Sequence, residues 1–187
     1  TTAGEKERGT LETILTFPIS RKELIFGKYL AISISGIVTL LIGVFLSIVS
    51  LYYVKNSFSI YDNVIFNINT ITILLTILIL LFYTLFISGL CITIASFTKS
   101  FKEAQSALTP ISLVTCIPMF LEMLNINISG VLSFIPIINH TIVINNILTS
   151  SININNILIT IISSIIYIIV LLLFINKMYK SEKILFN

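Results

Sequence analysis

Reactive side chains are few in this chain, and they gather at its start. The run Gly4-Glu5-Lys6-Glu7-Arg8-Gly9-Thr10-Leu11-Glu12-Thr13-Ile14-Leu15 carries three of the eight acids. At helical spacing Glu5, Arg8 and Glu12 share one face and suit the ion pairs Glu5–Arg8 and Arg8–Glu12, while Leu11, Ile14 and Leu15 form a narrow apolar stripe. Such a segment either lies among lipid headgroups or docks on a partner protein. Phe17-Pro18 stops it. Ser20 and Glu23 then have the spacing of a capping box, in which each side chain bonds the other residue's backbone N–H, and Ile19 and Leu24 are placed as its hydrophobic staple. Ser100 and Glu103 repeat that spacing.

Bond-making constellations are missing. There is no His-Glu-x-x-His, no Gly-x-Ser-x-Gly and no Gly-x-x-x-x-Gly-Lys loop, so the chain reads as no enzyme and as holding no metal or cofactor. Cys91 and Cys116 sit in apolar stretches without metal-ligand spacing and read as inert buried thiols. His140, the single histidine, falls in a long uncharged loop and reads as no ligand. Glu122 is the one acid near lipid depth, at the end of a span; proton-coupled carriers need buried ionisable partners, which it lacks. Energy for any transport therefore comes from another subunit.

The elements that position these residues follow from composition. Of 187 residues 56% are hydrophobic and 10% charged, with mean hydropathy +1.07. So little polar surface cannot cover a soluble globule. Eleven cations against eight acids give a net charge of +3, too sparse for a nucleic-acid-binding face. The charges leave four gaps, which predict spans at 29–53, 71–97, 107–124 and 157–175. Each reaches across about 30 Å of hydrocarbon at about 1.5 Å per residue, the third barely. Backbone groups in lipid need internal partners, and the alternation of a barrel is missing, so the expected fold is an all-α integral membrane protein of about four transmembrane helices. Segment 1–28 becomes a cytoplasmic amphipathic element, 29–175 the membrane domain and 176–187 a cytoplasmic tail.

Ten of the eleven cations fall on one side of these spans: Lys6, Arg8, Arg21, Lys22, Lys28, Lys99, Lys102, Lys177, Lys180 and Lys183, with only Lys55 opposite. The positive-inside rule then puts both termini in the cytoplasm of a multi-pass protein of the cell membrane. Gly36, Gly43, Ser47 and Ser50 line one helix face, and Ser88, Cys91 and Ala95 another; small residues let helices approach closely in lipid, and a polar path along Ser33, Ser35, Thr39 and Ser47 is the alternative use. Pro110 and Pro118 should bend the third span. Within the uncharged stretch 125–156, residues 135–148 suit a short in-plane or re-entrant helix.

Three segments carry a family resemblance: Gly-Glu-Lys-Glu-Arg-Gly-Thr-Leu-Glu-Thr (4–13), Pro-Ile-Ser-Arg (18–21) and Gly-Lys-Tyr-Leu (27–30). They resemble the permeases of type-2 ABC transporters and are most similar to the sodium-export NatB-like branch. Lys102-Glu103-Ala104-Gln105, Ile135-Pro136 and the tail from Ser181 to Phe186 resemble the same family. The resemblance implies a permease subunit of an ATP-driven exporter, in which 4–15 is an N-terminal coupling helix against a separate ABC ATPase. Glu5, Glu7, Arg8 and Glu12 would make its polar contacts, and Leu11 and Leu15 would seat in the ATPase groove. It further implies a second permease copy, identical or not. Such permeases carry two earlier spans and a large extracellular domain, so the chain is expected to be their C-terminal portion. Relatives export sodium, antibiotics, peptides or lipids. Two other classes fit the residues alone: a non-transporting membrane scaffold or immunity protein, and a secondary carrier.

Overall fold

The computed structural model describes residues 2–10, 20–57, 69–123, 135–149 and 151–180. Among these, all regular structure is helical: α1 (Thr2–Glu7), α2 (Arg21–Ser57), α3 (Thr70–Phe97), α4 (Phe101–Met123), α5 (Pro136–Leu148) and α6 (Ile154–Lys180). Three helices are long and apolar enough to cross a membrane, within Lys22–Tyr53, Thr70–Phe97 and Ile154–Met178. Helix α4 is continuous through Pro110 and Pro118 but is not among the three. Gln105, the two prolines and its row of hydroxyl residues dilute its apolar character.

Helix α3 is the hub, packing against every other element. One cluster joins Ile25 and Tyr29 of α2 to Ile92 of α3 and Ile175 of α6. A second joins Ile79 of α3 to Val143 and Ile147 of α5 and Ile157 of α6. These pairings make α3 and α6 parallel to each other and antiparallel to α2. They also gather the start of α2, the ends of α3 and α6 and the start of α4 at one end of the bundle. Lys22, Lys28, Lys99, Lys102 and Lys177 all belong to that basic end.

The small residues divide by position. A Cβ at Gly36 would lie 2.7 Å from Thr84 Cγ2 and 3.6 Å from Ser88 Oγ, so α2 and α3 touch at a point where no side chain fits. Gly43 has open space beside it, so only part of the small stripe serves close approach. Three hydroxyls on this helix are met locally. Ser35 donates to the Ile32 carbonyl at 2.8 Å, Thr39 to Ser35 at 2.9 Å and Ser47 to Gly43 at 2.8 Å. Donation to a carbonyl one turn back lets a polar side chain sit in lipid without a further partner.

Candidate functional site

The charged start of the chain is built around a short helix. Helix α1 ends at Glu7, and Arg8 and Gly9 form a turn, with Gly9 at φ +67°, where a side chain would be strained. The Arg8 N–H closes the last turn on the Gly4 carbonyl at 3.1 Å. This corrects the expectation of one continuous helix running on from Glu5: the turn at Arg8 and Gly9 interrupts it. Glu5 pairs with Lys28 of α2, not with Arg8. Leu11, Glu12 and Leu15 lie outside the described residues.

The two glutamates of α1 hold different helices. The Glu5–Lys28 ion pair reaches α2, with side chains 24% and 10% exposed. Glu7 accepts the N–H of Phe101, the first residue of α4, at 2.8 Å. Helix N-termini leave such N–H groups without intrahelical partners and carry a partial positive charge, so a carboxylate there is doubly favoured. A second carboxylate completes the cap: Glu103 accepts the Lys99 N–H at 2.8 Å, and its own N–H bonds Ser100 Oγ at 3.2 Å. The spacing Ser100–Glu103 foretold the box, and the structure shifts its return bond by one residue. At the start of α2 the box is complete, Ser20 N–H donating to Glu23 at 2.9 Å and Glu23 N–H to Ser20 Oγ at 3.3 Å.

Ala3 is buried against this junction, and α1 packs on α3 and α4. Arg8 is exposed and lines, with Gly4, Glu5, Thr10 and Phe101, a cleft of about 360 Å³. Glu5 and Phe101, which line this cleft, are members of the two links, Glu5 to Lys28 of α2 and Glu7 to Phe101 of α4. Of the expected contact residues, Glu5 and Glu7 are thus committed within the chain, and Arg8 faces outward. Lys28 and the Phe101 N–H are the partners that sequence reasoning missed. They lie 23 and 94 positions from their glutamates, and no local spacing signals such pairs.

A second polar cluster lies deep in the bundle. His140 is 1% exposed and belongs to α5, the short helix expected over 135–148, which packs between α3 and α6, so it is a buried helical residue and not a loop one. Its Nδ1 donates to the Pro136 carbonyl, and Nε2 lies 3.1 Å from Ser164 Oγ of α6. The Ser164 proton has a second acceptor, the Thr160 carbonyl, at 2.5 Å. The Tyr83 ring of α3 lies 5.3 Å from the imidazole, centroid to centroid. Three helices thus meet on one histidine. Its neighbour Asn139 is buried too, at 6% exposure.

Long apolar helices packed as a bundle, with a charged amino-terminal element locked to one end, define a multi-pass membrane protein. The sequence pattern described as ABC-2 family transporter protein matches residues 2–177, nearly the whole chain, and the chain belongs to that family. It is similar to the ABC transporter permease protein NatB of Bacillus subtilis (strain 168), with 30% identity over 122 residues. That alignment takes in 63% of this chain and 30% of the relative, so the chain spans less than a third of the relative's length there. No solved structure matches it.

Proposed function

We propose that the chain is the C-terminal portion of the membrane-spanning permease subunit of an ATP-driven ABC exporter in the NatB-like branch, with sodium as its cargo. On this reading it works beside a separate ATPase and a second permease copy, and it catalyses no reaction itself. Helix α4 is the fourth span, at 23 residues and about 34 Å long enough to cross. The basic end of the bundle faces the cytoplasm of the cell membrane, with both termini there.

The observation that carries this reading is the double attachment of α1, through Glu5 to α2 and through Glu7 to α4. An element that only floated among headgroups gains nothing from being fixed to two helices. An element that passes on a push from a partner needs that fixing. ATP-driven closure of the ATPase pair would displace the cleft around Arg8, and the two carboxylate links would convert that displacement into a tilt of α2 against α4. Arg8 would meet an acidic group of the ATPase, while Leu11, Glu12 and Leu15 would complete the contact as the family resemblance implies. Sodium comes from the resemblance of segments 4–13, 18–21 and 27–30 to the sodium-export branch.

The test is co-purification. The permease, co-expressed with an ABC ATPase of the same organism, should retain that ATPase on an affinity tag. Arg8→Glu should reduce recovery at least tenfold, since a charged partner left buried and unpaired costs about 2–5 kcal/mol. Full retention by Arg8→Glu would reject this docking surface.

A further inference from the structure

We propose that His140 is an acid-operated release for α5, a switch that frees the start of this helix from α3 and α6 when the ring takes up a proton. The ring stands level with the middle of the bundle, since its aromatic neighbour Tyr83 lies midway along α3 (Thr70–Phe97). The other end of α5 packs near the starts of α3 and α6, where Ile147 meets Ile79 and Ile157. Helix α5 therefore runs from mid-depth toward the end of the bundle opposite the basic one. Its first turn is weakly fastened. The N-cap Ile135 makes no side-chain cap bond, and the buried Asn139 amide nitrogen has no acceptor. His140 ties this part of α5 to α6 by its contact with Ser164.

Counting protons shows what acid does there. A carbonyl only accepts, so the bond to Pro136 puts a proton on Nδ1 and leaves Nε2 of the neutral ring as an acceptor for the Ser164 hydroxyl. A second ring proton reverses that bond: Nε2–H donates to Ser164 Oγ, and the Ser164 proton turns to the Thr160 carbonyl at 2.5 Å. Every atom keeps a partner, so what the protonated ring lacks is an opposite charge. Tyr83 faces it from α3, with Cys116 of α4 near that tyrosine. From α6 it meets Ser164, while Tyr167 is turned to Phe86. None of these is a carboxylate. Glu5, Glu7, Glu23 and Glu103, the acids whose side chains are described, all stand at the basic end. The Tyr83 ring offers a π face but no charge. Burial therefore holds the imidazole below its ordinary pKa, against the pull of the Pro136 carbonyl. The closed position is fully favoured above the pH at which an exposed imidazole takes its proton. It loses ground as pH falls from there toward the lower pH at which the buried ring does. Acid that reaches the ring thus opens the bundle from mid-depth toward the end opposite the basic one. The inference is independent of the coupling role of α1 and of the exported cargo.

His140 is the single histidine, so its ring signals are unambiguous in a chain purified on a histidine-free tag. The chain, carrying nitrogen-labelled histidine and reconstituted in lipid vesicles, is titrated by solid-state NMR between about pH 8 and about pH 5. The ring should titrate below about 6.5, the ordinary value. Amide exchange over 137–148, corrected for its intrinsic pH dependence, should rise about tenfold between about pH 7.5 and about pH 5. The ceiling is about thirtyfold, reached if the closed ring takes no proton at all. Exchange over 80–92 of α3 should not follow pH. His140→Gln should abolish the rise in α5, and Glu122→Gln, which removes the acid at the far end of α4, should keep it. The switch is overturned by a ring that titrates at or above about 6.5, by α5 exchange that ignores pH in the unaltered chain, or by a rise that persists in His140→Gln. Loss of the rise in Glu122→Gln would assign the titration to that acid and overturn it as well. The titration and the exchange of the unaltered chain need no variant, so they decide the matter even if His140→Gln fails to fold.

Discussion

The Glu5–Lys28 link is where the account is most exposed to measurement. The pair is largely shielded, with Lys28 at 10% and Glu5 at 24% exposure. Coulomb attraction at about 4 Å with an effective dielectric near 20 is about 4 kcal/mol. Desolvation and side-chain ordering remove more than half of that, so a coupling energy of about 1–2 kcal/mol should remain, above the roughly 0–1 kcal/mol of exposed pairs. Glu5→Gln, Lys28→Gln and the double variant form a cycle, measured by unfolding in mixed micelles. Each single variant should lose about 1–3 kcal/mol, and the double should lose less than their sum by the coupling energy. A second readout reports α1 itself. Arg8 is exposed in the turn before Gly9, so trypsin cleavage after Arg8 should accelerate in both single variants. Losses additive within about 0.5 kcal/mol would show that no energetic link exists, and unchanged cleavage would show that α1 does not depend on it.

Other expectations follow from particular contacts. Gly36→Ala should destabilise the bundle by about 1–3 kcal/mol, since its Cβ meets Thr84 at 2.7 Å, whereas Gly43→Ala should be neutral or slightly stabilising in the same unfolding assay. His140→Leu should lose about 2 kcal/mol through the bonds to Pro136 and Ser164, while Ser164→Ala loses about 1 kcal/mol; equal stability of all three proteins would remove the histidine from the core account. Ser20→Ala should weaken the start of α2 by about 1 kcal/mol and Ser20→Asp should be tolerated, checked by amide exchange over the first turn; equal damage from both would end the capping assignment.

The legible parts of this fold were those fixed by local chemistry. Charge-free apolar stretches marked the long helices, because a charge at lipid depth is costly wherever the chain goes next. The Ser20–Glu23 box was readable because its two bonds join residues three apart. What local chemistry does not encode was misread. Glu5 has two cations at plausible reach, and only the turn at Gly9 and the seat of α1 on α3 and α4 decide for Lys28 over Arg8. The short helix over 135–148 is legible in the sequence, but the burial of His140 within it is not, because the stretch is uncharged and too short for a span. Yet the 13-residue α5 buries its first turn between α3 and α6. Length separates spanning from non-spanning helices, but it does not separate buried from exposed ones. The same limit applies to the stripe of Gly36 and Gly43, identical in type and seven residues apart, of which only the first touches another helix.

The central claim is that the start of this chain meets an ABC ATPase. A photoreactive phenylalanine analogue at Arg8, the exposed residue of the α1 cleft, tests it in living cells. The same analogue at Phe45, on the exposed face of α2, serves as the reference. The account predicts an adduct of this chain with the ATPase from position 8 and none from position 45. Adducts with lipid alone from position 8, in cells that contain the ATPase, would contradict it.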